Sequence, residues 1–281
     1  MSRTAAQVLA FVKLSILFNP TDLIVALVRH RYLLIQLIKR DVLLRYRGAM
    51  FGVAWMFLNP LLLLSIFALV FGSIFRVRWP MEEGGPPFWL ILYSGLIVFN
   101  VFSETLSRSP SAVRSYPAFV KKILFPVDIL PLVPIGTALV HAAFNFFIMV
   151  LALTWTGHLQ EQVLLVPILL IPLLFFVSGL AWFVAAWGVF IKDMTQIMPV
   201  FVQMVMFLSP IFYPVSAVPK LLQPLYRYNP LGAIIEICRS ATLGLTFSWT
   251  LWVVTLILGI VVAILGHAFF QHSREEFADV L

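Results

Sequence analysis

Charge is what this sequence lacks most. Only 11% of its 281 residues are Asp, Glu, Lys or Arg, less than half the roughly 25% of an ordinary soluble domain. Apolar residues make up 62%, and mean hydropathy is +1.01. A soluble core of this length could not hide so much apolar surface, so the excess needs lipid to face. Cysteine is the second scarcity. With Cys238 alone, an intrachain disulfide and a Cys-based zinc site are excluded. Catalytic signatures are missing as well. There is no G-x-x-x-x-G-K-[ST] loop to cradle nucleotide phosphates, no H-E-x-x-H zinc pair and no G-x-S-x-G nucleophile turn. Acids are nearly absent from the apolar runs: Glu104 and Asp128 lie beside them, toward their ends. A proton-coupled carrier places ionisable groups at mid-membrane. These absences argue against an ATPase, a metallohydrolase, a serine hydrolase and an ion-coupled carrier.

What is present are long unbroken apolar runs. In hydrocarbon the backbone must satisfy itself, which leaves helices or a closed barrel. Barrel strands alternate apolar and polar residues over about ten positions, whereas these runs are continuous and long enough for helices of about 20 residues. The expected fold is therefore an all-α integral membrane domain over residues 48–281. Six spans are read at about 51–75, 88–106, 129–155, 163–191, 197–215 and 249–270. Between the last two, residues 216–248 hold Pro219, Pro224 and Pro230 and then the short apolar piece Leu231–Leu243. That piece is too short to cross and reads as re-entrant, with Pro230 and Gly244 as its start and stop signals.

Charge distribution orients the spans. Fourteen of the 19 Lys and Arg residues fall on the side holding both termini and the loop after the second span, and five fall on the other. The positive-inside rule makes the richer side cytoplasmic. The net charge of +7 is explained by this bias and implies no nucleic-acid partner. Residues 1–20 form an extension without a convincing A-x-A cleavage site, so a signal peptide is not expected.

Residues 21–47 read as an amphipathic helix lying in the cytoplasmic interface. At 100° per residue, Asp22, Arg29, Gln36 and Arg40 share one stripe, while Leu23, Ile24, Leu27, Leu34, Ile35 and Ile38 form the opposite face. Such a helix either anchors in the headgroups or also docks a partner. Arg45 and Arg47 stand at the mouth of the first span. Arginine forks suit phosphate oxygens, but on residue type alone ordinary positive-inside snorkelling is the stronger explanation. Within the first span Phe51, Trp55 and Asn59 share a face, and Asn59-Pro60 predicts a kink. In the fifth, Phe201, Leu208 and Phe212 fall on one face and Phe207 on another. These rings either offer stacking surfaces for sugars or face lipid. His141 and Asn145, four apart, predict a helix–helix hydrogen bond. Glu236 and Arg239, three apart, can pair within the short piece, an ion pair of little worth if it lies at the surface.

Several segments, in order, resemble one family. Arg40-Asp41-Val42-Leu43-Leu44-Arg45-Tyr46-Arg47-Gly48, continuing through Gly52, Trp55 and Asn59-Pro60-Leu61, resembles the entry to the first span of ABC-2 type permeases for polysaccharide and polyol phosphate export. Phe125-Pro126-Val127-Asp128-Ile129-Leu130-Pro131-Leu132 resembles the start of that family's third span. Lys192-Asp193 stands where the family has a charged pair, with Lys in place of the usual Arg. Ser209-Pro210-Ile211-Phe212-Tyr213-Pro214, Val218-Pro219, Tyr228-Asn229-Pro230-Leu231 and Glu236-Ile237-Cys238-Arg239 are similar to its periplasmic gate region. The resemblance covers nearly the whole chain from about residue 22; the first 19 residues are not part of it.

The resemblance implies a homodimeric membrane channel served by two copies of a cytoplasmic ATPase subunit. This chain would carry no cofactor, and ATP and Mg would be held by the partner. It further implies a glycan canal lined by Trp55, Asn59, Tyr93, Phe99, Phe201, Phe207, Phe212 and Tyr213. Arg45 and Arg47 would meet the headgroup of the lipid-linked polysaccharide. An ATPase interface would draw on Arg29, Gln36, Arg40, Arg114, Tyr116, Lys121 and Lys122. A periplasmic gate would be formed by Pro214, Pro219, Asn229, Glu236 and Arg239. The Arg-Tyr-Arg-Gly form leans toward O-antigen or teichoic-acid permeases over the capsular type. Competing readings are an ABC-2 permease for a small drug or simple lipid, and a membrane enzyme acting on lipid phosphate, which would need clustered acids or histidines at one membrane face.

Overall fold

The computed structural model describes residues 20–74, 85–120, 125–214, 218–221 and 223–280. Residues 1–19, Lys121 and Lys122 lie outside this set. The described residues form helices and turns, with no strand among them. Five helical segments are long and apolar enough to cross a membrane: Gly52–Ile74, Phe88–Ala112, Val127–Trp155, Glu161–Phe190 and Trp249–Arg274. They coincide with five of the six expected spans.

Helix α1 is described over Pro20–Tyr46. It ends where Gly48 takes φ +85°, and Gly52 follows with φ +48°. These two left-handed positions, accessible at little cost only to glycine, turn the chain from α1 into the first span. That span opens with a 3₁₀ turn, Gly52–Ala54. It continues as α2, Trp55–Phe67, and widens into π-helix over Ala68–Ile74. Pro60 lies buried inside α2, and π geometry follows at Ala68.

Helix α3, Phe88–Ala112, is the hub and the most covered of the spans. It extends past the expected boundary at 106 because Glu104 and Arg108, which look like end signals, find partners on neighbouring helices (below). After the short α4, Pro117–Val120, come α5, Leu132–Trp155, the short α6, Val166–Leu169, and α7, Ile171–Phe190. The last span, α11, Trp249–Arg274, lies along α7 at backbone contact. A Cβ on Gly266 would stand 2.0 Å from the Gly179 carbonyl oxygen, and one on Gly179 would stand 2.2 Å from that of Val262. Small residues at a crossing let two backbones close in, the usual basis of helix association in lipid. The crossing is tied down at one end. Trp182 Nε1 donates to the Asp128 carbonyl at 2.9 Å, and Arg274 meets the Asp128 carboxylate at 3.2 Å. Phe277 of α12, Phe277–Val280, is fully buried against Phe270 and Phe190.

The remaining expected span departs from expectation. Helix α8, Met194–Phe207, has 14 residues, a rise of about 21 Å against a hydrocarbon core of about 30 Å. It stops because Pro210 disfavours helical geometry at Ser209 and has no N–H to continue the ladder. Pro214 follows, and the next described helices are α9, Gln223–Arg227, and α10, Pro230–Thr242. Helix α10 has the limits that its sequence signals predict. Asn229 caps it by accepting from the Leu231 N–H at 3.0 Å, and Gly244 ends it at φ +71°. It packs on α3.

Candidate functional site

Three helices each present two polar side chains four residues apart, and the pairs converge. Asp41 and Arg45 come from α1, Glu104 and Arg108 from α3, and Thr137 and His141 from α5. One turn of helix separates the members of a pair, so both point the same way. Arg45 donates to Glu104, which lies 2.8 Å from His141 Nδ1. Arg108 Nη2 donates to Asp41 at 2.6 Å and its Nη1 stands 3.5 Å from Glu104. Thr137 Oγ1 donates to the second Asp41 oxygen at 2.7 Å. His141 Nδ1 also stands 3.3 Å from Arg45 Nη1, and its Nε2 shares a 3.1 Å hydrogen bond with the Tyr46 hydroxyl. Two carboxylates thus offset two guanidiniums, and α1 is clamped to the spans. Outside the spans, burial pushes the Tyr46 phenol above its ordinary value, with Arg45 opposing and Glu104 adding.

The cluster borders a cavity of about 450 Å³, into which Trp55, Asn59, Asn100, Ser103 and Asn145 also face. Amides at membrane depth should meet protein or water, and Asn145 does the former. It accepts from the Tyr93 hydroxyl of α3 at 2.9 Å and returns its amide to the His141 carbonyl at 2.7 Å. The expected helix–helix bond from the His141–Asn145 pair is present, and His141 adds a second one through Glu104.

The residues expected to line a canal separate into three groups. Trp55 and Asn59 line this cavity. Tyr93 and Phe99 do not face open space: they are 1% and 3% exposed, enclosed between α3 and its neighbours. Phe201 and Phe207 of α8 are exposed on the surface, with Phe212 stacked near Phe207. Tyr213 donates to the Phe207 carbonyl and shares a 2.8 Å hydrogen bond with Tyr226. Arg45 and Arg47, expected to work as a pair, part company. Arg45 turns to Glu104. Arg47 borders a separate groove of about 510 Å³ with Lys39, Arg40 and the side chains of Leu43, Leu44 and Val53.

Of the residues expected to meet a partner subunit, Arg29, Gln36 and Arg40 are exposed along α1. Arg40 lies over the Tyr116 ring, 5.7 Å from its centroid, and Tyr116 stacks near Phe119, so α1 touches the loop after α3. Burial raises the Tyr116 phenol, with Asp41 adding and Arg40 opposing. Arg114 is half-buried in the same loop. At the far end, Arg239 bonds Glu236 at 2.9 Å and the Ile211 carbonyl at 3.2 Å. Its side chain is 3% exposed and that of Glu236 37%, so the guanidinium end of the pair is buried while the carboxylate reaches the surface. Asn229 bonds the Leu208 carbonyl and Ser209 hydroxyl at 3.2 and 3.3 Å, tying α10 to the end of α8. Pro219 is exposed and Pro214 half-buried nearby.

Sequence reasoning missed Asp41, Glu104, Arg108 and Thr137 as site residues. The available signal was ionisable residues spaced i, i+4 within or beside apolar helices, since charge at that depth calls for a partner. The described residues hold no cluster of three His, Cys, Asp or Glu suited to a metal ion.

Five apolar helices of membrane length make this a helical, multi-pass membrane protein, with a polar clamp joining two of them to α1. The chain belongs to the ABC-2 type transporter family, whose model matches residues 32–243. It is 24% identical over 251 residues to the O-antigen export system permease protein RfbA of Klebsiella pneumoniae, covering 89% of this chain and 95% of that one. It is 28% identical to the protein of the same name from Myxococcus xanthus, over 68% and 72% of the two chains. The polysialic acid transport protein KpsM of Escherichia coli is 24% identical over 73% and 78%.

Proposed function

We propose that this chain is the permease subunit of an ATP-driven exporter that moves a lipid-linked polysaccharide, O-antigen-like or teichoic-acid-like, across the bacterial cytoplasmic membrane. The observation that carries the reading is similarity to an O-antigen export permease along nearly nine-tenths of the chain, in a sequence without a phosphate-binding loop. Two copies would form the passage, and two copies of a cytoplasmic ATPase, holding ATP and Mg, would supply the work. Both termini would be cytoplasmic, with six crossings. The fifth would combine the short α8 with the turn after it, and α9 and α10 would re-enter from the outer side.

In this reading α1 lies in the cytoplasmic interface, and its Arg40–Tyr116 contact joins it to the loop that meets the ATPase. The clamp between α1 and Glu104 then passes motion from that loop to the first span. Trp55, Asn59 and the exposed rings Phe201 and Phe207 belong to the passage. The lipid anchor enters near Arg45 and Arg47, where arginine forks match phosphate oxygens. A capsular polysaccharide is the second reading, favoured by the similarity to polysialic acid transport proteins.

The test is co-purification of the tagged chain with a co-expressed ABC ATPase subunit, followed by ATP hydrolysis with added lipid-linked glycan. A stable complex whose hydrolysis rises with glycan supports the proposal. A complex stimulated equally by a small drug or a simple phospholipid removes the polysaccharide.

A further inference from the structure

We infer that a cavity bounded by α3, α5, α6, α7 and α10 binds the acyl tail of a membrane phospholipid. The cavity measures about 230 Å³ and is walled by Ile97, Val98, Met149, Val166 and other apolar side chains. Its few polar atoms are already satisfied or weakly polar. Ser94 Oγ donates to the Ile91 carbonyl at 2.7 Å, and Thr242 Oγ1 to the Cys238 carbonyl at 2.8 Å. The third is the Cys238 thiol. Nothing there offers a water the two to four partners it needs. An apolar cavity of about 150 Å³ in a protein core stays dry and takes up benzene, and this one is larger. Left empty, its wall atoms would forfeit their dispersion contacts on one side.

The surroundings decide what fills it. On one flank Ala143 is exposed and Leu139, Phe146, Leu170 and Leu174 are partly so, so the cavity opens sideways between α5 and α7. Those segments are spans, so the medium at that opening is hydrocarbon. Depth points the same way. Ser94 lies six residues inside α3 and Met149 six residues before the end of α5, about 9 Å along each helix. A headgroup does not reach that depth in a core of about 30 Å, but a tail does. Phospholipid tails are the hydrocarbon chains that make up this layer. The inner wall is α10, through Cys238 and Thr242, and Arg239 is the next residue along. A tail in this place braces the helix that carries the Glu236–Arg239 pair. The inference rests on the membrane-spanning reading and is independent of the exported cargo.

The test uses the full chain in nanodiscs containing phosphatidylglycerol with a diazirine at mid-tail, with adducts mapped by peptide mass spectrometry. Adducts are expected on the Pro230–Thr242 helix as well as on outward-facing residues of the last span such as Val254 and Leu258. Ala143→Phe, at an exposed position and so compatible with folding, should abolish the α10 adducts and keep the outward ones. Leu151→Phe, exposed on the same helix but outside the cavity, should keep both. Equal α10 adducts in wild type and Ala143→Phe would overturn the inference. So would outward labelling without α10 labelling, or α10 labelling by a diazirine polyprenyl phosphate but not by the phospholipid.

Discussion

If Glu104 is what holds α1 to the spans, neutralising it should uncouple Arg45 energetically as well as structurally. The Glu104 side chain is 15% exposed and that of Arg45 48%. Breaking a buried pair costs about 3–5 kcal/mol, and an exposed pair is worth about 0.2–1 kcal/mol. This pair is intermediate. Glu104 also serves His141 at 2.8 Å and Arg108 at 3.5 Å, and hydrogen bonds to charged groups contribute about 1.5–3 kcal/mol each. Glu104→Gln should therefore destabilise the protein by about 2–3 kcal/mol, and Arg45→Gln by about 1–2 kcal/mol. The pairwise coupling in a double-mutant cycle should be about 1–2 kcal/mol. Reversible unfolding in mixed detergent micelles measures all four corners of the cycle. Additivity to within about 0.5 kcal/mol would mean that the two side chains are neighbours without a working contact, and the clamp would lose its central bond.

Three further outcomes follow from the packing. Gly266→Ala places a methyl 2.0 Å from the Gly179 carbonyl oxygen. It should force α7 and α11 apart and cost about 1–3 kcal/mol in the same unfolding assay; a neutral result would show that the crossing has slack. Arg239→Met strips the buried guanidinium from the Ile211 carbonyl and from the partly exposed Glu236 and should cost about 1.5–3 kcal/mol. A loss below 1 kcal/mol would place the pair in solvent. Asn229→Ala removes the α10 cap and the ties to Leu208 and Ser209. It should cost at least about 1 kcal/mol and speed amide exchange in the first turn of α10, and unchanged exchange there would contradict the capping role.

Much of the helical plan was legible because unbroken apolar runs and bracketing Pro and Gly residues are local signals. Five spans and α10 followed from them. What could not be read was rotation about each helix axis. A helix apolar all round carries no stripe that names its buried face, so Tyr93 and Phe99 looked as suited to a canal as Trp55. Pairing across the fold was equally hidden: Arg45 and Glu104 are 59 residues apart, and Asp41 and Thr137 are 96 apart. The end of α8 at Phe207 was marked by Pro210 but masked by the apolar residues on either side of it, so composition prolonged a helix that backbone chemistry stops.

The account stands on the claim that this chain supplies a passage and a partner supplies the energy. Translocation of a fluorescent lipid-linked glycan should be measured in proteoliposomes holding the chain alone, the ATPase alone, or both. Glycan should reach the far side only with both subunits and hydrolysable ATP. Vectorial translocation against a gradient by the chain alone, with no nucleotide hydrolase present, would contradict it.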